Sequence, residues 1–155
     1  MSHPHVVPLL RELVRCYQAF ERASSAHIRL TGLTSPQFDI LATLGNTPGM
    51  TFKELGSRTL ITKGTLTGIV DRLEERGLVK RVASDCDGRS TLVKLTRAGN
   101  ALFHRTFAPH LDFLAPAFDS LSERSRRDLE VQLARLREAL EHRHAALCDG
   151  RSDCP

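Results

Sequence analysis

The run ITKGTLTGIVDRLEERGLVKR, from Ile61 to Arg81, decides the fold. Within it Leu66, Ile69, Val70 and Leu73 stand at i, i+3, i+4 and i+7, the spacing that gathers four apolar side chains on one face of an α-helix. Thr62 is placed to cap that helix, and Gly77 suits its C-terminal stop. Lys63, Thr65, Thr67 and Gly68 fall on the other side, near the N-terminal end. One flank is therefore built for a core and the other for solvent or a partner.

Downstream, the runs 78–83 and 90–96 carry approximate alternation and β-branched residues, with the polar stretch Ser84-Asp85-Cys86-Asp87-Gly88-Arg89 between them. That pattern predicts a β-hairpin with an exposed tip. Upstream, Thr51-Phe52-Lys53-Glu54 has capping-box spacing and opens a helix of about two turns. Before it, Ser35-Pro36 supplies a cap and a first-turn proline for a helix lined by Phe38, Ile40, Leu41 and Leu44 and closed by Gly45-Asn46. Helix, short helix, turn, helix with a polar face and then a basic hairpin is the layout of a winged helix-turn-helix. The expected fold class is mainly α with a small β-hairpin wing, flanked by long N- and C-terminal dimerisation helices.

The flanks fit that layout. Leu10, Leu13, Val14, Tyr17, Phe20, Ser24 and Ile28 recur at helical spacing and predict one long helix over 6–30, ended by Gly32. Two further helices are expected at about 97–116 and 122–146, separated near Pro116 and by a Ser122 cap. In the last, Leu129, Leu133, Leu136 and Leu140 alternate spacings of four and three, as when one helix packs along another. The domain reading is 1–32 and 97–147 for dimerisation, 33–96 for the winged domain, and 148–155 as a frayed tail.

The 155 residues fit one compact domain, or one small domain plus an oligomerising extension, and the composition, 41% hydrophobic and 26% charged, is ordinary for a soluble globular protein. From Thr51 to Arg97 ten basic residues face six acidic ones, so this segment alone carries the net charge of +4. A basic excess placed there points to a polyanion as partner. The helix end bearing Lys63, Thr65 and Thr67 is suited to base edges in a major groove, and Arg72, further along, to backbone phosphate.

The start MSHPHVVPLLREL has no basic run leading into an apolar segment, and no stretch approaches membrane-spanning length, so the expected location is the cytoplasm. Cys16, Cys86, Cys148 and Cys154 lack paired CxxC spacing, which argues against a disulfide framework and a zinc finger. The sequence has no phosphate-cradling glycine loop, nucleophile elbow or metal-ligand spacing, so neither an enzyme nor a cofactor nor a metal site is expected.

Three segments resemble the MarR (multiple antibiotic resistance) family of regulators: LTSPQF at 33–38, the run 61–81, and DGRSTLVKLTRAG at 87–99. The last is similar to the family's wing signature, Asp-x-Arg followed by a strand ending in Leu-Thr. The resemblance implies a dimer joined through its terminal helices, with one winged domain per subunit on a pseudo-palindromic double-stranded DNA site. It further implies that Thr62, Lys63, Thr65, Leu66 and Thr67 lie at or near bases and that Arg89 enters the minor groove. Asp87, two residues before Arg89 in a tight turn, would orient it by a charge-assisted bond. Ser35, Gln37 and Lys53, at helix starts, are candidate phosphate contacts.

Such regulators generally release DNA when a small aromatic acid or phenol wedges between the dimerisation helices and the winged domain, so a small-molecule effector is implied. The candidate pocket residues are Tyr17, Phe20, His27 and Phe38, with Phe103, Phe107 and His110. Their spacing also fits ordinary core packing. Cys16 falls where a thiol-sensing branch of the family keeps its reactive cysteine, but the tyrosines that would polarise a thiolate are missing, and a buried, inert thiol is expected. The alternatives are a redox switch on the same scaffold through Cys16, and a winged protein-interaction module without DNA.

Overall fold

The computed structural model describes residues 4–59, 61–83 and 91–148. In chain order the elements are α1 (Val6–Arg29), α2 (Ser35–Leu44), β1 (Met50–Thr51), α3 (Phe52–Arg58), α4 (Lys63–Glu75), β2 (Val79–Ala83), β3 (Thr91–Leu95), α5 (Arg97–Asp119) and α6 (Glu123–Cys148). The chain is mainly helical, with long helices at both ends and one small antiparallel sheet of order β1-β3-β2. Val93, at the centre of that sheet, sits opposite Met50 on one side and Arg81 on the other and is fully buried. Among the described residues no helix is long and apolar enough to cross a membrane.

The core grows from the periodicities in the sequence. Ile40, Leu41 and Leu44 of α2, Leu55 of α3, Val70 and Leu73 of α4, and Val79 and Val93 of the sheet are all essentially solvent-free. Each such side chain contributes about 1.5–3 kcal/mol of burial, which is why a sheet of so few residues holds its place. Gly77, at φ +66°, closes α4: its N–H bonds the Glu74 carbonyl at 2.8 Å, and the Leu78 N–H bonds the Leu73 carbonyl at 2.9 Å. Those are the two bonds of a Schellman stop, and they deliver the chain directly into β2.

Four local expectations need correction. The cap of α2 is Thr34, whose hydroxyl accepts the Gln37 N–H while the Gln37 side chain accepts the Thr34 N–H; Ser35 lies inside the helix. A threonine one residue upstream completes a reciprocal box with Gln37, whereas Ser35 would face Phe38 at the third position and could not. Thr62 occupies the N-cap of α4, yet its hydroxyl pairs with that of Thr65 at 2.9 Å and caps no amide. Pro116 does not end α5, which runs on to Asp119. A proline removes one backbone donor, and the helix-compatible Leu114, Ala115, Ala117 and Phe118 on either side carry the turn past it; the break comes at Ser122, whose hydroxyl accepts the Ser125 N–H. The third correction's counterpart at the sheet is β1, a third strand of two residues whose membership is set by its partner β3 rather than by any alternation of its own.

Chain contacts divide the protein into two units, Met1–Phe113 and Leu114–Pro155. The first holds α1, the winged elements and most of α5. In the second, α6 is laced on its polar side by ion pairs one turn apart, Arg127 with Glu123 and Arg137 with Glu141. Exposed pairs of this kind add little stability, about 0.3–0.5 kcal/mol each.

A candidate nucleic-acid interface and a part-buried histidine pair

The two faces of α4 part cleanly. Leu66, Ile69, Val70 and Leu73 are buried, while Gly64, Thr65, Thr67, Gly68, Asp71 and Arg72 are exposed. Beyond its own helix backbone, a methyl group built on Gly64 or Gly68 would meet nothing within 4 Å, so among the described residues no neighbour requires glycine at either position. The helix start is equally open. α2 and α3 each carry a complete capping box, Thr34 with Gln37 and Thr51 with Glu54, whereas α4 begins with no side-chain cap on its first-turn amides. A helix N-terminus without a side-chain cap presents the positive end of the helix dipole, which favours an anion.

Around this face the candidate residues divide. Thr62, Thr65, Thr67, Lys53 and Arg72 are exposed and available. Leu66, expected near bases, is 2% exposed and packs with the core stripe of α4, so it cannot reach a base edge. Ser35 is half-buried and shares a 2.8 Å hydrogen bond with Ser25. The Gln37 carbonyl oxygen is held by the Thr34 N–H and by Arg76 at 3.3 Å. Lys63 lies in the first turn of α4. Asp87 and Arg89 lie outside the described residues.

Arg81, one of the ten basic residues in the segment, does not join the open face. Its guanidinium pairs with both Asp71 and Glu74 of α4 and lies 5.4 Å from the centre of the Phe52 ring, and its N–H donates to Glu74 at 3.0 Å. Burial opposes the charge of this guanidinium, and the hydrogen bonds and charges of Asp71 and Glu74 outweigh it, raising the pKa above its ordinary value. The spacing of two acids at i and i+3 on one helix, followed by an arginine on the next strand, was the signal for this contact.

A second cluster lies where α1, α2 and α5 meet. His27, Phe38, Phe103, Phe107 and His110 come together there, joined by Ser24 and Phe113, which sequence reasoning missed. The Nδ1 atoms of His27 and His110 are 3.1 Å apart, and His110 Nε2 is 3.2 Å from the Ser24 hydroxyl. One proton held between the two Nδ1 atoms satisfies that contact. Burial, then the facing charge of His27, holds His110 below the usual histidine pKa. Phe113 stacks on His27 at 4.4 Å, and Phe38 meets His110 edge-on at 4.9 Å.

Tyr17 and Phe20, at 53% and 45% exposure, make no ring contact with the cluster among the described residues. Cys16 corrects another expectation, being exposed and free. Only Ser24 and Ile28 of α1 are buried, so the first four turns of that helix enter no core among the described residues. An open groove of about 380 Å³ bounded by Leu44, Thr47, Pro48, Lys94 and Arg97 shares no residue with the α4 face or the ring cluster. Among the described residues no three His, Cys, Asp or Glu side chains gather as a metal ion would require.

Comparison with known proteins gives the same layout. Residues 31–90 match the model of the MarR family. The chain is 30% identical over 111 residues to the HTH-type transcriptional regulator MhqR of Bacillus subtilis, covering 72% of this chain and 77% of that one. Its structure is similar to that of a mutant MarR from Escherichia coli complexed with operator DNA, with TM-score 0.75 and 26% identity over 85% of this chain and 95% of that one. It is also similar to the MarR family protein Rv2887 of Mycobacterium tuberculosis in complex with p-aminosalicylic acid, with TM-score 0.65 and 29% identity over 83% and 98% of the two chains.

Proposed function

The chain belongs to the MarR family of DNA-binding transcriptional regulators, and from that premise we propose that it is a homodimeric repressor of a pseudo-palindromic operator, released by a small aromatic or phenolic ligand. The observation that carries the DNA reading is the α4 face: exposed, threonine-bearing, open among the described residues at two glycines, and without a side-chain cap at its N-terminus. Thr62, Lys63, Thr65 and Thr67 would address base edges, Lys53 and Arg72 phosphates, and Arg89, oriented by Asp87, the adjacent minor groove. Gln37 would meet phosphate through its side-chain NH2, since its carbonyl oxygen is the atom held by Thr34 and Arg76, and Ser35 through its hydroxyl proton when Ser25 is the donor of their shared bond.

Residues 1–32 and 97–147 form the dimerisation region in this proposal, 33–96 the DNA-binding domain and 148–155 a tail. The operator-bound relative supports the DNA reading, and the relative bound to p-aminosalicylic acid supports an aromatic effector. The ring cluster of His27, Phe38, Phe107 and His110 is the place for that effector here, since it ties α1 and α5 to α2 of the winged domain. A ligand that favours one spacing of the two winged domains over another is all that release requires.

Fluorescence anisotropy on a duplex selected by the protein from a random library tests the reading. Affinity is expected to fall steeply with salt, to drop at least tenfold on Arg89→Ala or Thr65→Ala, and to fall on addition of salicylate-type acids. A folded dimer that selects no duplex would overturn it. The exposure of Cys16 favours one variant of the mechanism, release by thiol oxidation. Peroxide that dissociates the wild type but not Cys16→Ser would establish that variant.

A further inference from the structure

Arg81 joins three elements through one side chain. It stands on β2, pairs with Asp71 and Glu74 on α4, and covers the ring of Phe52 at the start of α3. Its side chain is 28% exposed, against 50% and 37% for the two carboxylates, so the junction is a half-buried fork and not a loose surface pair. A guanidinium presents its donors in a fixed plane, and two carboxylates engaged at once fix that plane relative to the helix carrying them. The Arg81 N–H bond to Glu74 ties the strand backbone to the same helix. Asp71 belongs to the exposed side of α4, next to Arg72.

We propose that Arg81 is a positioning residue for DNA binding, locking the angle between α4 and the β2–β3 hairpin so that helix and hairpin meet the duplex as one rigid body. Arg81 touches no DNA in this role. It acts through Asp71 and Glu74, and it keeps those carboxylates from facing phosphate unpaired. The proposal rests on the α4 face and the hairpin being the DNA surface.

The two possible roles of these acids differ in sign. If Asp71 were only a negative charge on a DNA-binding face, Asp71→Asn would tighten binding, because it removes repulsion from a polyanion. If Asp71 is an arm of the clamp, the same change weakens binding. The experiment uses the full-length protein and the duplex it selects from a random library, with anisotropy for affinity, hydroxyl-radical footprinting for contacts and thermal melting for the fold. Asp71→Asn, Glu74→Gln and Arg81→Gln are expected to weaken binding, the last at least tenfold, and to thin the footprint on one flank of each half-site while the rest persists. Arg81→Lys is not expected to rescue, since an ammonium cannot fork two carboxylates.

The triple change of Asp71→Asn, Glu74→Gln and Arg81→Gln, which removes all three charges of the fork, is expected to remain weak with the same uneven footprint. Asp71→Asn binding as tightly as wild type or tighter, or the triple variant regaining wild-type affinity and footprint, would overturn the proposal. Should Arg81→Gln melt below the assay temperature, the two single acid variants, which keep the guanidinium on Phe52, decide the matter alone. A wild-type protein that selects no duplex would instead remove the DNA reading itself.

Discussion

Gly68 sits in the middle of α4, where glycine costs a helix about 1 kcal/mol relative to alanine, and among the described residues nothing beyond its own helix backbone and chain neighbours lies within 4 Å of where its methyl would stand. Considered as a fold alone, the position should improve on Gly68→Ala. Considered as a surface that a DNA backbone or base edge approaches closely, it should suffer. The expected outcome is both together, a higher melting temperature and weaker duplex binding in the same variant, read by thermal unfolding and anisotropy. A variant gaining stability with unchanged affinity would remove the close-approach reading of this face. His110 makes the second argument at this scale. Its pKa is lowered by burial and then by His27, so the folded chain takes up its proton less readily than the unfolded chain does. Its share of stability is therefore fully present above the unfolded value near 6.5 and is lost as pH falls from there toward the lowered folded value, with a slope of at most about 1.4 kcal/mol per pH unit for one group. Urea unfolding at pH 7.5 and 5.0 is expected to show this loss in the wild type and a shallower one in His110→Gln.

At the level of elements, legibility followed how far each signal reached along the chain. The α4 stripe was plain because Leu66, Ile69, Val70 and Leu73 bury one helix face by local spacing alone, and the Thr51-Glu54 box because both of its bonds lie within four residues. The Thr34 cap was misplaced by one residue because Ser35-Pro36 carries the commoner signature, and only the Gln37 partner distinguishes the two. Strand β1 depends on a partner far along the chain, and no window of sequence displays the two together, whereas the three charges of the Arg81 fork lie within the 61–81 run and only their pairing across helix and strand was hidden. Of the site, the exposed threonines were readable from helix periodicity, whereas carrying Leu66 over by resemblance overrode the apolar stripe to which it visibly belongs. Gly99 is the clearest case of a hidden constraint. A methyl there would stand 1.9 Å from the Leu78 carbonyl oxygen, so the first turn of α5 rests directly on the backbone leading into β2. Thr96 fixes the same junction, its hydroxyl donating to the Gly77 carbonyl at 2.6 Å and accepting the Gly99 N–H at 3.0 Å. Gly99→Ala is therefore expected to cost about 1–3 kcal/mol, the usual range for overpacking, measured by chemical denaturation; a loss below half a kcal/mol would mean that the helix start shifts freely.

For the whole molecule the question is what covers the apolar surface that one chain leaves open. Val6, Val7, Leu9, Leu10, Val14, Tyr17 and Phe20 of α1 are all exposed, as are Leu129, Val131, Leu133 and Leu140 of α6. Apolar stripes exposed on this scale, each on its own helix, are uncommon on soluble monomers and mark a partner interface. A second copy of the chain is the occupant that the proposed function requires, because two winged domains at fixed separation read two half-sites where one reads a single half-site. The argument has a direct consequence for affinity. Leu10→Glu with Val14→Glu removes apolar area from α1 and adds charge that a symmetric interface would place near its own copy, leaving the buried Ser24 and Ile28 end of the helix untouched. The double variant is expected to elute as a monomer with a helical spectrum like that of the wild type. It should lose at least a hundredfold in affinity for a two-half-site duplex while binding a single half-site as the wild type does. Light scattering and anisotropy on the two duplexes check this, and a double variant that stays dimeric would move the interface off α1 and onto the leucines of α6, where Leu133→Glu repeats the test.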